Sequence, residues 1–187
     1  MNDKFQTVDA SSATVERGAG MAEALGLNGR YRAECYGSDG KLKWADDFDN
    51  VVTTVGANLA LDTILAGSAF TATVVMGLKG AGTAVIADTQ ASHASWSEQG
   101  LANAPTYSGN RKTPTFSAAS AKSKATSAAV SFAITSSGTV SGCFININGS
   151  STIDNTTGTL LSAGDFSGGT KAVTNGDTLN VSYTLSA

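Results

Sequence analysis

The chain has 187 residues, a formal net charge of −3, 41% hydrophobic residues and 14% charged residues. This length suits one domain with a sizeable core, and the low charge leaves no basic stripe of the kind that binds nucleic acid. No apolar stretch reaches the roughly 18 residues of a membrane-spanning helix, and the N-terminal residues lack the apolar segment of a secretory leader. We therefore expect a protein that is made in a cytoplasm, without nucleic-acid binding or membrane insertion.

Residues 1–28 are predicted to form a flexible N-terminal arm ahead of a β-rich domain at residues 29–187. The arm contains many small residues and few large apolar ones, so burial of its surface cannot offset the entropy of ordering it. Docking on a partner would order it. Its larger apolar side chains, Phe5, Met21 and Leu25, are therefore candidate interface residues.

Residues 29–48 are predicted to form a β-hairpin. Tyr31, Ala33 and Cys35 alternate with polar residues, which gives the first strand one apolar and one polar face. The turn is expected at residues 37–40, because the Asp-Gly pair there tolerates a positive φ.

One short helix is predicted at residues 53–66. Thr54 is expected to cap its N-terminus, and Gly67 is expected to end it. The helix has a stripe, mostly apolar and broadened by Leu61 and Ile64, that should face the core. The stripe consists of Val55, Leu59, Asp62 and Leu65. A strand is expected to follow at residues 71–78.

The stretch from residue 79 to residue 112 is predicted to be a long, irregular loop. Long loops on a β scaffold often carry contacts with partners. Trp96 and Tyr107 lie in it and are candidate interface residues, although core packing is an equally open interpretation for both. Trp44 and Tyr183 lie on predicted strands, so we expect them to pack in the core.

The C-terminal tract, residues 113–187, alternates small polar residues with β-branched and aromatic ones. It has few charged residues: Lys122, Lys124, Asp154, Asp165, Lys171 and Asp177. Strands are predicted at residues 114–118, 122–135, 138–147, 157–162, 170–174 and 177–186. This spacing is typical of an antiparallel β-sandwich, either jelly-roll-like or immunoglobulin-like (Ig-like), so the predicted fold class is mainly β with one short helix.

The sequence contains few residues or motifs that are suited to catalysis or metal binding. His93 is the only histidine, and although Asp88 is near it in sequence, no Gly-x-Ser-x-Gly motif accompanies them. Cys35 and Cys143 are far apart and are expected to be free buried thiols. Alternation should split the carboxylates at residues 46–49 between two faces, which disfavours a calcium site. We therefore predict no catalytic residues, no metal and no cofactor.

A series of short sequence segments along the chain resembles a family of tailed-bacteriophage virion structural proteins. The resemblance covers roughly Asp47 to Ala187, and the first 45 or so residues lie outside it. The segments are Phe48-Asp-Asn-Val-Val-Thr-Thr-Val-Gly-Ala-Asn-Leu-Ala-Leu-Asp, Val75-Met-Gly-Leu-Lys, Ala87-Asp-Thr-Gln-Ala-Ser-His-Ala-Ser-Trp-Ser-Glu, Thr159-Leu-Leu-Ser-Ala-Gly-Asp-Phe-Ser and Asn175-Gly-Asp-Thr-Leu-Asn-Val-Ser-Tyr-Thr-Leu-Ser.

The resemblance implies a non-enzymatic, homo-oligomeric component of the outer surface of the virion, made in the host cytoplasm. It is similar to capsid cement (decoration) proteins, whose partners are the major capsid protein, copies of the same chain and other virion proteins. The alternative is a tail or head fibre component, a receptor-binding module that contacts the host surface. In that alternative, the loop from Gly80 to Lys112 would contact the host.

Overall fold

The structure, a computed structural model, describes residues 26–65 and 71–187. These residues form eleven strands and one helix. In chain order the elements are β1 (Asn28–Tyr36), β2 (Leu42–Val52), α1 (Thr54–Leu65), β3 (Val74–Lys79), β4 (Glu98–Gln99), β5 (Ser123–Ala125), β6 (Val130–Ala133), β7 (Gly138–Val140), β8 (Gly142–Ile147), β9 (Thr159–Asp165), β10 (Lys171–Val173) and β11 (Thr178–Ser186).

Nine of these strands form one antiparallel sheet. Its order is β4-β3-β8-β9-β2-β1-β11-β5, and β6 also pairs with β11. Strands β7 and β10 form a separate antiparallel pair. The prediction of a mainly β, antiparallel fold with one short helix is confirmed. The large sheet and the small one are compatible with the expected sandwich, although they are unequal in size.

The predicted hairpin is the pair β1–β2. Tyr31 lies opposite Phe48, and Ala33 lies opposite Asp46. In the turn, the amide of Gly40 donates to the carbonyl of Gly37 at 2.8 Å. Gly40 has a φ of 76°, which glycine adopts without strain because it has no Cβ. Strand β2 continues to Val52, beyond the predicted end at residue 48, and there it pairs with β9.

The main core lies on one face of the large sheet, where apolar side chains alternate inward along β1, β3, β8 and β11. Tyr31 stacks on Phe48 with ring centroids 5.2 Å apart, and the Tyr183 ring lies 4.7 Å from that of Tyr31. The Tyr31 hydroxyl is paired with the Ser162 hydroxyl at 3.0 Å, so this buried polar group is satisfied. Tyr183 is buried and Trp44 packs against the same cluster, which confirms both as core residues.

A second, smaller core lies on the opposite face of β8. Phe144 points there, between Cys143 and Ile145, which point into the main core. The cluster consists of Ala84, Trp96, Phe144, Leu160 and Ala163. Part of the region predicted to be an irregular loop is therefore packed against the sheet.

The helix begins at Thr54, one residue later than predicted, and sits differently on the sheet. Its cap is Thr53 rather than Thr54, because the hydroxyl of Thr53 accepts a hydrogen bond from the amide of Gly56 at 3.1 Å. Gly56 is the buried residue of α1, whereas Leu65, in the stripe expected to be buried, is 82% exposed. The predicted stripe is buried only in part, because the helix approaches β9 through its glycine. Val55 and Leu59 are half-buried, whereas Asp62 and Leu65 are exposed. Residues 66 and 67 lie outside the described residues.

The strands of the C-terminal half are shorter and more numerous than predicted. Residues 114–118 form no strand and contribute only an isolated bridge between Phe116 and Thr126. The predicted strand at 122–135 is divided into β5 and β6, and the one at 138–147 into β7 and β8. The remaining three correspond to β9, β10 and β11, with β9 shifted toward Asp165. Alternation predicted the strand regions, and local breaks in pairing set their ends.

Two inward-facing carboxylates hold neighbouring strands together. Asp177 accepts from Nζ of Lys43 at 2.6 Å and from the amide of Thr174 at 2.8 Å. Asp46 accepts from Ser167 and lies 3.2 Å from Nζ of Lys171. Burial alone would raise the pKa of each carboxyl group, but these hydrogen bonds and charges outweigh it and lower both pKa values.

These lowered pKa values predict acid sensitivity. The pKa of each folded carboxyl lies below its unfolded value, about 3.9, so the stabilisation is complete above that pH and is lost as the pH falls through the folded pKa. We expect the urea midpoint to fall between pH 5 and pH 2 and the fall to be shallower in Asp177→Asn. Asp39→Asn, at an exposed turn, is the control and should follow the wild-type profile. Parallel acid profiles for Asp177→Asn and wild type would contradict this assignment.

Candidate functional site

The most exposed apolar surface of the described residues is on α1. Leu61, Ile64 and Leu65 are 50%, 68% and 82% exposed. Beside them is a groove of about 220 Å³, which we call the α1 groove. It is lined by Leu27, Val52, Ala57, Ala60, Leu61 and Ile64. Exposed apolar surface of this kind, with Asp62 as the one charged side chain of α1, is typical of a protein-docking surface.

The close seat of Gly56 on β9 explains why this apolar surface faces outward. A Cβ at position 56 would lie 2.5 Å from the carbonyl oxygen of Leu161 and 2.8 Å from its Cα. The backbone of α1 therefore touches β9 directly, and Leu61, Ile64 and Leu65 remain exposed. The amide of Thr54 also donates to the carbonyl of Ile86 at 2.9 Å, which fixes the start of the helix.

The candidate interface residues of the arm, Phe5, Met21 and Leu25, lie outside the described residues. The described chain begins at residue 26, and Leu27 lines the α1 groove. Strand β1 begins at Asn28, the last residue assigned to the arm from the sequence.

The two candidate interface residues of the loop are interior residues. Trp96 is 5% exposed and Tyr107 is 4% exposed. The indole nitrogen of Trp96 donates to Oδ2 of Asp88 at 2.9 Å, and Tyr107 packs edge-on against Phe132 at 4.9 Å. Both rings therefore pack inside this chain, which is the core interpretation that the sequence left equally open, and this corrects their choice as interface residues.

A polar cleft of about 480 Å³ lies in the same loop region, beside Trp96. The imidazole of His93 stacks on the Trp96 indole with centroids 3.9 Å apart and an interplanar angle of 17°. The cleft is lined by residues 90–94 and 96–98, and by Asn103 and residues 154–156. It shares no residue with the α1 groove.

The wall of the polar cleft is supported by a buried ion pair that the sequence did not reveal. Nη2 of Arg111 lies 2.6 Å from Oε2 of Glu98, and Nε of Arg111 lies 2.8 Å from Oε1. The guanidinium also donates to the carbonyls of Ser150 and Asn155, and Glu98 accepts from the amide of Asp154. This network joins β4 to the loop after β8, so it holds the two sides of the cleft at a fixed separation.

The geometry around His93 differs from that of a hydrolytic triad. Nδ1 of His93 is 2.9 Å from the carbonyl oxygen of Trp96, and Asp88 is bonded to the Trp96 indole rather than to the imidazole. A hydrolytic triad requires a carboxylate that orients the histidine, and here a backbone carbonyl takes that place.

The two cysteines are free and buried, as predicted. Burial raises the pKa of the Cys35 thiol to about 12, with a further contribution from Asp177. Burial also raises the pKa of Cys143. Both thiols are therefore protonated at neutral pH and lack nucleophilic character. Across residues 26–65 and 71–187, no three His, Cys, Asp or Glu side chains come together as a possible metal site.

Sequence patterns missed the buried charges because a charged residue is normally predicted to be exposed. Lys79 is fully buried and its ammonium group contacts Asp165 and the carbonyl of Gly82. Arg111 is 3% exposed and lies in a stretch without clear periodicity. One signal was present for Lys79, since it ends the apolar run of β3 and alternation places it on the same face as Val75.

Comparisons with known proteins add no relative: no family model, no curated protein and no solved structure matches the chain. Within the described ranges, no helix combines the length and hydropathy needed to cross a membrane.

Proposed function

We propose that this chain is a non-enzymatic virion protein of a tailed bacteriophage that decorates the capsid and cements it. Its partners are the major capsid protein and copies of itself on the outer surface of the particle. The observation that carries the proposal is the exposed apolar surface of α1 with its groove. The resemblance of the sequence to phage virion proteins supplies the class of partner.

The physical properties of the α1 groove suit a protein that adheres to a repeating lattice. Its lining is aliphatic and contains no charged side chain, so docking an apolar partner there would desolvate no ion. One groove of about 220 Å³ gives modest affinity by itself. A homo-oligomer that engages several identical lattice sites at once multiplies that affinity through effective concentration.

The docking role predicts that a charge in the α1 groove abolishes attachment without unfolding the protein. Ile64→Asp is the test variant, because this side chain is 68% exposed and lines the groove. Leu42→Asp is the matched control, because Leu42 is 54% exposed but lies on β2, away from the groove. We expect cryo-EM of particles assembled with the Leu42 variant to show full occupancy on the head lattice, and particles with the Ile64 variant to show none.

Two results would contradict the proposal. Wild-type particles without copies on the head lattice would exclude cementing altogether. Equal occupancy for the two variants, with equal thermal stability, would show that the protein attaches through another surface.

Removal of residues 1–25 tests the arm separately. Since β1 starts at Asn28, the truncated chain retains every described strand and is expected to melt near the wild-type temperature. Its attachment to particles is expected to weaken, because the arm would no longer contribute contact area. Full attachment of the truncated protein would show that the arm is not part of the interface. A large drop in its melting temperature would show that the arm is part of the fold.

The second candidate is a tail or head fibre component that binds a host receptor. The polar cleft favours it, because an open cleft of about 480 Å³ with convergent polar side chains suits recognition of a small ligand. Copy number separates the two candidates. Many copies spread over the head indicate cementing, whereas a few copies at one vertex or on the tail indicate a fibre.

A further inference from the structure

The polar cleft presents hydrogen-bond acceptors to a ligand. A carbonyl can only accept, so the contact of 2.9 Å between His93 and the Trp96 carbonyl places the proton on Nδ1. In the neutral ring, Nε2 is then an acceptor. Asp154 adds a carboxylate, held in place because its Oδ2 accepts from the amide of Ala102 at 3.2 Å.

Gln90 supplies a further acceptor at the base of the cleft. The side chain is 2% exposed and lines the cleft, and its Nε2 donates to the carbonyl of Asn155 at 3.3 Å. Its Oε1 is buried without a hydrogen-bond partner in the described part of the chain. Because Oε1 is shielded from solvent, the side chain must turn toward the cleft to meet a ligand donor, and that contact would remove the cost of a buried acceptor without a partner.

The cleft also has an aromatic wall and a rigid frame. His93, half-buried on top of Trp96, offers a flat ring against which the C–H face of a ring-shaped ligand can pack. Asp154 has a left-handed backbone with a φ of 63°, a conformation that aspartate tolerates better than most residues other than glycine. The ion pair of Glu98 with Arg111 prevents the two sides from separating.

The charges of the cleft restrict the chemistry of the ligand. Glu98 is neutralised by Arg111, which leaves the carboxylate of Asp154 as the exposed charge among the lining residues. An anionic ligand would be repelled by this carboxylate. A neutral molecule with several hydroxyl donors and an apolar ring face satisfies the acceptors and the aromatic wall together.

We propose that the polar cleft is a binding site for a neutral saccharide, whose hydroxyl groups donate to His93, Gln90 and Asp154 and whose ring packs on His93. This inference deepens the receptor-binding candidate, because a surface glycan of the host is the corresponding receptor chemistry. It does not depend on cementing through the α1 groove, since the two surfaces share no residue.

The test uses the full chain on a printed array of neutral and acidic oligosaccharides, with spermidine as a cationic probe in parallel. Glycans that bind are then titrated by tryptophan fluorescence, because Trp96 lies under His93. We expect neutral glycans to bind and His93→Ala and Asp154→Asn each to weaken binding by about tenfold, the effect of one strong hydrogen bond. Asparagine keeps the left-handed backbone at position 154, and Asp47→Asn, on the outer face of β2, is the control with unchanged affinity.

Three outcomes would overturn the proposal: no bound glycan, binding of acidic glycans or spermidine alone, and unchanged affinity in both cleft variants with wild-type melting. Particle occupancy is measured independently. A protein that decorates capsids but binds no glycan would exclude the cleft site and leave cementing intact. A protein that binds a neutral glycan but is missing from the head lattice would exclude cementing and leave the cleft site intact.

Discussion

Replacing Glu98 with glutamine is expected to lower the free energy of unfolding by about 3–5 kcal/mol. The Arg111 side chain is fully buried and that of Glu98 is 3% exposed, so the variant leaves a guanidinium charge in the interior without its counter-ion. The shape of residue 98 is preserved, which assigns the loss to the charge. Guanidinium-induced unfolding at pH 7 measures it.

Two further variants complete this experiment. The double variant Glu98→Gln with Arg111→Met should be more stable than Glu98→Gln alone, because no unpaired charge remains. Asp49→Asn breaks an ion pair with Arg30 whose side chains are 60% and 81% exposed, and its midpoint should stay at the wild-type value. If Glu98→Gln lowers the free energy of unfolding by less than about 1 kcal/mol, water must reach the charged side chain of Arg111 and screen it.

Replacing Gly56 with valine is expected to lower the free energy of unfolding by about 3 kcal/mol and to detach α1 from the sheet. The new side chain would overlap the backbone of Leu161, which belongs to β9 and cannot turn away as a flexible side chain can. Detachment would also break the bonds of Thr53 to the carbonyls of Leu160 and Leu161. Thermal unfolding measures the stability, and amide exchange across α1 measures the detachment.

Gly56→Ala gives a graded version of the same test. In an exposed helix, alanine is more stable than glycine by about 1 kcal/mol, so a loss of stability here would have to come from the contact with β9. Asn58→Val, at an exposed position of the same helix, controls for the poor helix propensity of valine. A melting temperature that rises in Gly56→Ala would refute the close approach of α1 to β9.

The strands were predictable because side-chain alternation depends on local sequence. Tyr31, Ala33 and Cys35 alternate with charged residues, and the structure buries those three and pairs them in the expected hairpin. The ends of strands were less predictable, because they depend on pairing between distant segments. The break between β7 and β8 falls at Ser141, whose amide donates to the carbonyl of Lys79 on β3 rather than continuing one strand.

The candidate sites were harder to predict than the fold. The apolar residues of α1 suggest a helix with a buried face. The periodicity of the sequence cannot show that the helix contacts the sheet through a single glycine. The polar cleft depends on the pairing of Arg111 with Glu98 and on the position of Asp154, which are brought together only by the tertiary fold. The sequence singles out His93 as its only histidine and Trp96 as a candidate interface residue, but nothing in their spacing predicts that their rings stack.

Strand β11 lies near one end of the large sheet, between β1 on one side and β5 and β6 on the other. Its partner β1 is the first strand of the described chain, so the ribosome must translate through Ser186 before β1 can gain that neighbour. Until then the inner edge of β1 stays open, and such edges pair readily with other nascent chains. Assembly of this part of the sheet should therefore be slow and should wait for the synthesis of β11, and the yield of native protein should depend on low temperature or on chaperones during expression.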